Sequence, residues 1–283
     1  MNQWLFTKDE LYQMPSIVND GMTFEEERLS RLRGCCFIQI IGCRLEVPQV
    51  TIATATSYFH RFYARNSFKS YDYEYVAATC VYLAGKVEES SRQLKDVVTA
   101  CIISRKTHSD EKGKIYAQWQ EAILWYEQFL VETLCFDLSV DHPHQLILEF
   151  AEEVDAPALV AQYAWAFAND SLRQPLCLIY HPQMVAAACI LLGYQTVGVD
   201  FPESTDTIWG QTLEQEFELL TAIVSDIAAV YSISDAVEKA RKSSSSDHHN
   251  SGSSHRNGHA VAPTSNGHRR EKEADSRYVR HHT

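Results

Sequence analysis

Two stretches of this chain repeat in the same order, and that duplication restricts what it can fold into. Val76-Ala-Ala-Thr-Cys-Val-Tyr-Leu83 matches Val185-Ala-Ala-Ala-Cys-Ile-Leu-Leu192 at five of eight positions, an offset of 109 (185 − 76). Just ahead of each lies a second pair, Tyr63-Ala-Arg-Asn-Ser67 and Phe167-Ala-Asn-Asp-Ser171. One match between alanine-rich helices is weak, but two at the same stage of a helical series point to a duplicated unit.

The surrounding pattern is helical. Thr23 to Arg44 opens on Glu25, Glu26 and Glu27, which suit a helix N-terminus, and continues with Leu29, Leu32, Cys36 and Ile40 at helical spacing. Pro48 fits the first turn of a second helix reaching about Arg65, and Asp72 fits the cap of a third. In that third helix nothing from Tyr75 to Gly85 is charged, so burial almost all round is expected. Leu94–Ile103 forms a fourth segment, Lys106–Lys114 a polar loop, and about Ile115 to Phe136 a fifth helix. His142-Pro143 restarts the series, and no stretch alternates apolar with polar as a strand would. The expected fold class is all-α: two tandem bundles of about five helices each, 24–140 and 141–236, behind an N-terminal extension, 1–23. From Arg241 the chain turns to Ser, His, Gly and Asn, so 237–283 is expected as a disordered tail.

Charge and cysteine usage exclude several functions. Residues 241–283 hold eight Lys+Arg and four Asp+Glu, a net of +4, which leaves −16 of the total −12 on residues 1–240. An acidic body repels a phosphate backbone, so no direct nucleic-acid partner is expected. The eight cysteines form no C-x-x-C pair and no Cys/His ligand set; reduced thiols and no metal are expected. Met1 to Glu10 lacks a signal-peptide layout, and the longest apolar run, Met184–Tyr194, is too short to cross a bilayer. A soluble intracellular protein without membrane contact is the expectation.

Catalytic motifs are missing. Gly85-Lys86 continues with Val87 where a phosphate loop needs Ser or Thr, and His60-Arg61 continues as Phe-Tyr, unlike a kinase catalytic loop. No catalytic residue and no cofactor is assigned, and a binding module is expected. Two charges carry a sharper reading. Lys86 ends the most apolar helix, and Glu127 interrupts Ala122-Ile-Leu-Trp-Tyr-Glu-Gln-Phe-Leu130. Each must reach water or a partner. Gln195 replaces Lys86 in the second copy, so the lysine serves a function of the first half.

Taken in order, Tyr58-Phe-His-Arg-Phe-Tyr63, Leu83-Ala-Gly-Lys-Val-Glu-Glu89, and Glu127 with Phe136-Asp-Leu138 resemble the first cyclin box. The resemblance covers about residues 10–231. Met14-Pro-Ser-Ile-Val-Asn-Asp-Gly21, Asp141-His-Pro-His144 and Asn169-Asp-Ser-Leu172 are similar to the transcriptional cyclins of the K/T group, with cyclins L and C also similar. It implies a regulatory subunit, not an enzyme, that binds and activates a cyclin-dependent kinase acting on the RNA polymerase II C-terminal repeat domain in the nucleus. In the family the first box turns the kinase αC helix inward, completing the glutamate–lysine pair an active kinase needs. By matching position, Lys86 and Glu127 would bond the kinase backbone, ringed by Val87, Val131, Phe136 and Leu138. Cell-cycle cyclins commonly have Asp where His60 stands, so Arg61 lacks that acid and takes a structural role. The alternative is a cyclin-fold transcription factor or adaptor, initiation-factor-like or resembling the Mediator-associated cyclin C. An initiation factor would bring a basic face and a zinc ribbon. The tail's seven histidines read first as solvated low-complexity sequence; the sharper alternative, which its positive charge and the resembling region of cyclin T suggest, is that the tail helps to hold a long repetitive substrate.

Overall fold

The chain is folded by helix upon helix. The structure, a computed structural model, describes residues 3–105, 112–201 and 216–246, with residue 112 and those past 231 as backbone only. Among the described residues there are eleven α-helices, one short 3₁₀ turn and no strand. The extension carries α1 (Lys8–Leu11) and α2 (Pro15–Val18). The first half follows as α3 (Phe24–Arg44), α4 (Gln49–Arg65), α5 (Tyr73–Val87), α6 (Leu94–Ser104) and α7 (Lys112–Thr133). The second half contains α8 (Pro143–Glu153), α9 (Ala158–Ser171), the 3₁₀ turn Pro175–Leu178, α10 (Pro182–Val197) and α11 (Phe217–Ser246). Residues 202–215 lie outside the described residues. The tail beyond Ser246, with its histidines, also lies outside them.

Local chemistry sets the starts. Thr23 Oγ1 accepts from Glu26 N at 3.2 Å, and Glu26 Oε2 accepts from Thr23 N at 2.8 Å, so each satisfies a donor the other leaves open. Asp72 Oδ1 accepts from Glu74 N at 2.8 Å at the start of α5. Pro48 stands one place earlier than expected, as the residue that caps α4 and not inside its first turn.

The duplicated octapeptides become equivalent helices. α5 packs against α3, α4 and α7, while α10 packs against α8 and α9. Each half encloses its own core: Ile38, Phe59, Phe62, Cys80, Ile123 and Leu130 in the first, Ile147, Phe150, Ala164, Cys189, Ile223 and Ile227 in the second. Both halves belong to one compact unit, Met1–Ala236. Close approach depends on glycine at two crossings. A Cβ on Gly34 would stand 2.0 Å from Phe59 Cζ, and one on Gly193 would stand 2.8 Å from the Val160 carbonyl oxygen.

α5 is deeply buried from Val76 to Gly85, as its uncharged sequence implies, but α4 is enclosed more completely. Every residue from Thr51 to Tyr63 is buried. The reason is position: α4 touches α3, α5 and α7 and also the 3₁₀ turn of the second half. Its polar side chains serve that second contact. Thr54 Oγ1 donates to Glu88 Oε1 and accepts from His142 Nε2, both at 2.7 Å, and His60 Nε2 donates to the Leu172 carbonyl at 2.9 Å. No described helix is long and apolar enough to cross a membrane.

Candidate functional site

Lys86 and Glu127, 41 residues apart, meet. Lys86 lies in the last turn of α5 and Glu127 in the C-terminal half of α7, and the packing of these helices brings Nζ to 2.5 Å from Oε1. The lysine side chain is 42% exposed and the carboxylate 21%, so the pair sits at the surface over an apolar base. Tyr82, one helical turn before Lys86, places its ring 4.2 Å from Nζ. Burial works against the ammonium charge, but the bond and attraction of Glu127, with Tyr82, outweigh it and leave the Lys86 pKa raised. Lys86 is therefore charged at neutral pH. An exposed pair of this kind adds little stability and can open without much loss, which leaves both groups available to a partner.

The apolar residues expected around the pair divide into two kinds. Val87, Val131 and Leu138 are half-buried against the first core. Phe136 is 73% exposed. It is not the last residue of a helix, as the apolar pattern implied, because α7 ends at Thr133. Cys135 and Phe136 adopt φ of 53° and 60°, turning the chain sharply, and Phe136 N donates to the Val131 carbonyl at 3.1 Å.

One face of α4 fixes this turn. Tyr58, Arg61 and Arg65 recur at helical spacing, and each donates to a main-chain carbonyl. Tyr58 Oη reaches Leu138 O at 2.5 Å, Arg61 Nη1 reaches Asp137 O at 3.0 Å, and Arg65 Nη1 reaches Thr133 O at 2.9 Å. Burial pushes the Tyr58 pKa up, so its hydroxyl remains a donor. The sequence singled out Arg61 alone of these three. Their shared spacing was the available signal, and their common target lies 68 to 80 residues away.

A second polar cluster escaped the sequence reading. Glu27 and Arg31 form a short ion pair in the interior, 5% and 2% exposed. Arg31 Nη1 also donates to His60 Nδ1 and to the His60 carbonyl, both at 3.2 Å. Because arginine only donates, Nδ1 must accept, which leaves Nε2 to carry the proton toward Leu172. Burial, and then the Arg31 charge, lower the His60 pKa to about 3. His60 thus works as a neutral link between the halves. A cleft of about 660 Å³ lies between the halves, lined among others by Gln49, His142, His144, Trp165 and His181. None of the candidate residues lines it. The eight cysteines are free, and no group of three or more His, Cys, Asp or Glu among the described residues could hold a metal ion.

Comparison with known proteins covers both halves. Residues 6–139 match the family described as cyclin, N-terminal domain, and residues 142–230 match that described as cyclin-T2-like, C-terminal domain. Cyclin pch1 of Schizosaccharomyces pombe is 38% identical over 237 residues, covering 81% of this chain and 69% of that protein. Cyclin-T1-2 of Arabidopsis thaliana is 36% identical over 230 residues, 79% of this chain and 49% of that one, so the chain spans about half of that relative's length. Among solved structures, a chain of the yeast RNA Pol II CTD kinase CTDK-1 complex superposes with a TM-score of 0.67 at 18% identity, covering 81% of this chain and 73% of that chain. A viral cyclin from herpesvirus saimiri gives 0.55 at 13% identity, with 80% and 94% covered. At these identities the superpositions establish the shared fold.

Proposed function

Because this chain belongs to the cyclins, with a T-like second half, we propose that it is the regulatory subunit of a cyclin-dependent kinase that phosphorylates the C-terminal repeat domain of RNA polymerase II. The observation that carries this reading is the Lys86–Glu127 pair. The two charges interrupt apolar runs within their helices, meet at the surface, and satisfy each other only until a better partner arrives. A kinase segment would open the pair. Lys86 Nζ would then donate to its backbone carbonyls, and Glu127 would accept from its amides, giving charge-assisted bonds at a desolvated centre. Val87, Val131 and Leu138 form the half-buried floor, and exposed Phe136 supplies the apolar anchor. Arg61 has a structural role, holding the Phe136 turn through Asp137 O. The first box, 24–140, thereby docks the αC helix of the kinase, and the second, 141–236, braces it.

The substrate class is supported by the relatives. The plant relative is named as a cyclin of the T type and the fission-yeast one as a cyclin, and the similar fold in CTDK-1 comes from a kinase complex for the polymerase tail. A nuclear site of action follows from that function. Co-purification on the tagged full chain, followed by assay of the eluate on a peptide of polymerase repeats, tests the proposal. A cyclin-dependent kinase should be recovered whose activity on the repeats requires the chain. Recovery of no kinase, or of one equally active without the chain, would refute it.

A further inference from the structure

The turn that presents Phe136 is held by the N-terminal extension as well as by α4. Cys135 and Phe136 occupy the left-handed region, which residues with a Cβ disfavour, so the turn depends on outside contacts to persist. Trp4 supplies them. It is 1% exposed, and its Nε1 donates to Asp137 Oδ2 at 2.9 Å, between Phe136 and Leu138 in sequence. Gln3 Nε2 donates to the same oxygen at 3.2 Å. The guanidinium carbons of Arg61 and Arg65 lie 5.1 and 4.1 Å from the indole centroid. These are the arginines that bond Asp137 O and Thr133 O. One buried ring therefore packs against both cations that grip the turn and bonds the carboxylate within it.

The extension is itself anchored on the second half. Phe6 N donates to the Leu178 carbonyl at 2.7 Å, and Lys8 pairs with Asp226 at 2.7 Å. A strap tied at both halves is a suitable fixed point for a strained turn. We infer that Trp4 is a positioning residue for kinase binding: it sets the 133–138 turn so that Phe136 projects in the geometry the kinase requires. The inference rests on the reading of Phe136 as a kinase contact.

A double-mutant cycle tests it, using the full chain and the kinase recovered by co-purification. Binding affinity is measured for wild type, Trp4→Ala, Phe136→Ala and the double variant, with thermal unfolding of each free chain alongside. Phe136→Ala should weaken binding about 30-fold, as truncation of an anchor does, and Trp4→Ala about tenfold. Acting through Phe136, Trp4→Ala should add less than about twofold once Phe136 is gone. If the two losses instead multiply, Trp4 acts independently of the turn and the inference is overturned. Where Trp4→Ala fails to fold, Trp4→Phe takes its place in the cycle, since it keeps an aromatic ring under both arginines and loses the bond to Asp137. A loss of about threefold that disappears in the Phe136→Ala background is then expected; an unchanged affinity, or the same loss in both backgrounds, overturns it. Wild-type binding by Phe136→Ala would sink the interface reading itself, an outcome distinct from independent losses.

Discussion

Arg31 is the interior side chain with the densest polar contacts among the described residues, and it ties α3 to α4 within the first half. Its charge is tolerable because Glu27 neutralises it and the His60 and Tyr63 carbonyls accept its remaining donors. Glu27→Ala should leave a buried cation and cost about 3 kcal/mol in urea unfolding at neutral pH; a loss under ~1 kcal/mol would mean the pair is solvated. His60 gives a pH signature. Its folded pKa lies near 3, well under the 6.5 of a free imidazole, so the unfolded chain takes up a proton first as the pH falls. Its contribution is complete above about pH 6.5 and declines below it, by roughly 2 kcal/mol between pH 7 and 5. His60→Gln should flatten unfolding free energy against pH by that amount, and parallel profiles would contradict a neutral buried His60. At this scale the sequence is partly legible. Lys86 and Glu127 stand out as charges inside apolar runs, and Tyr82 follows from its spacing to Lys86. Their mutual bond does not, because it depends on how α5 and α7 cross. Glu27 and Arg31 look like an ordinary i,i+4 surface pair, and only tertiary packing buries them.

The helices themselves are largely legible where a cap or an apolar stripe announces them. Thr23 with Glu26, and Asp72, mark the starts of α3 and α5 by chemistry local to the chain. The repeat of Val76–Leu83 in Val185–Leu192 identifies α5 and α10 as equivalent central helices. α4 is harder to read, because Thr51, Thr54, Ser57, His60 and Arg61 give it the look of a helix with a wet face. That face is dry, being turned to the second half and to the Phe136 turn. The end of α7 is likewise set from outside, by Arg65 on Thr133 O and by Trp4 on Asp137, separated from it by 133 residues. Helix crossings give a direct check on packing. Gly34→Ala would drive a methyl group into the ring of Phe59, which is fully buried and cannot swing away. A loss of about 2 to 3 kcal/mol is expected, read from thermal or urea unfolding. A neutral result would show that α3 and α4 can separate freely.

For the whole molecule, the duplication yields two cores of one design that have diverged in what they display. The first carries Lys86, Glu127 and the Phe136 turn; the second has Gln195 at the position matching Lys86 and contributes contacts that brace α4 and the extension. Kinase activation by the first half is the central claim, and a reciprocal charge exchange tests it most directly. Lys86→Glu places two carboxylates together, whereas Lys86→Glu with Glu127→Lys restores an ion pair within the free chain but inverts every charge offered to a partner. Affinity for the co-purified kinase should fall at least ~30-fold in both variants, while the exchanged protein unfolds within about 0.5 kcal/mol of wild type. Wild-type affinity in the exchanged protein would show that the pair only joins α5 to α7, and would contradict its role in gripping the kinase.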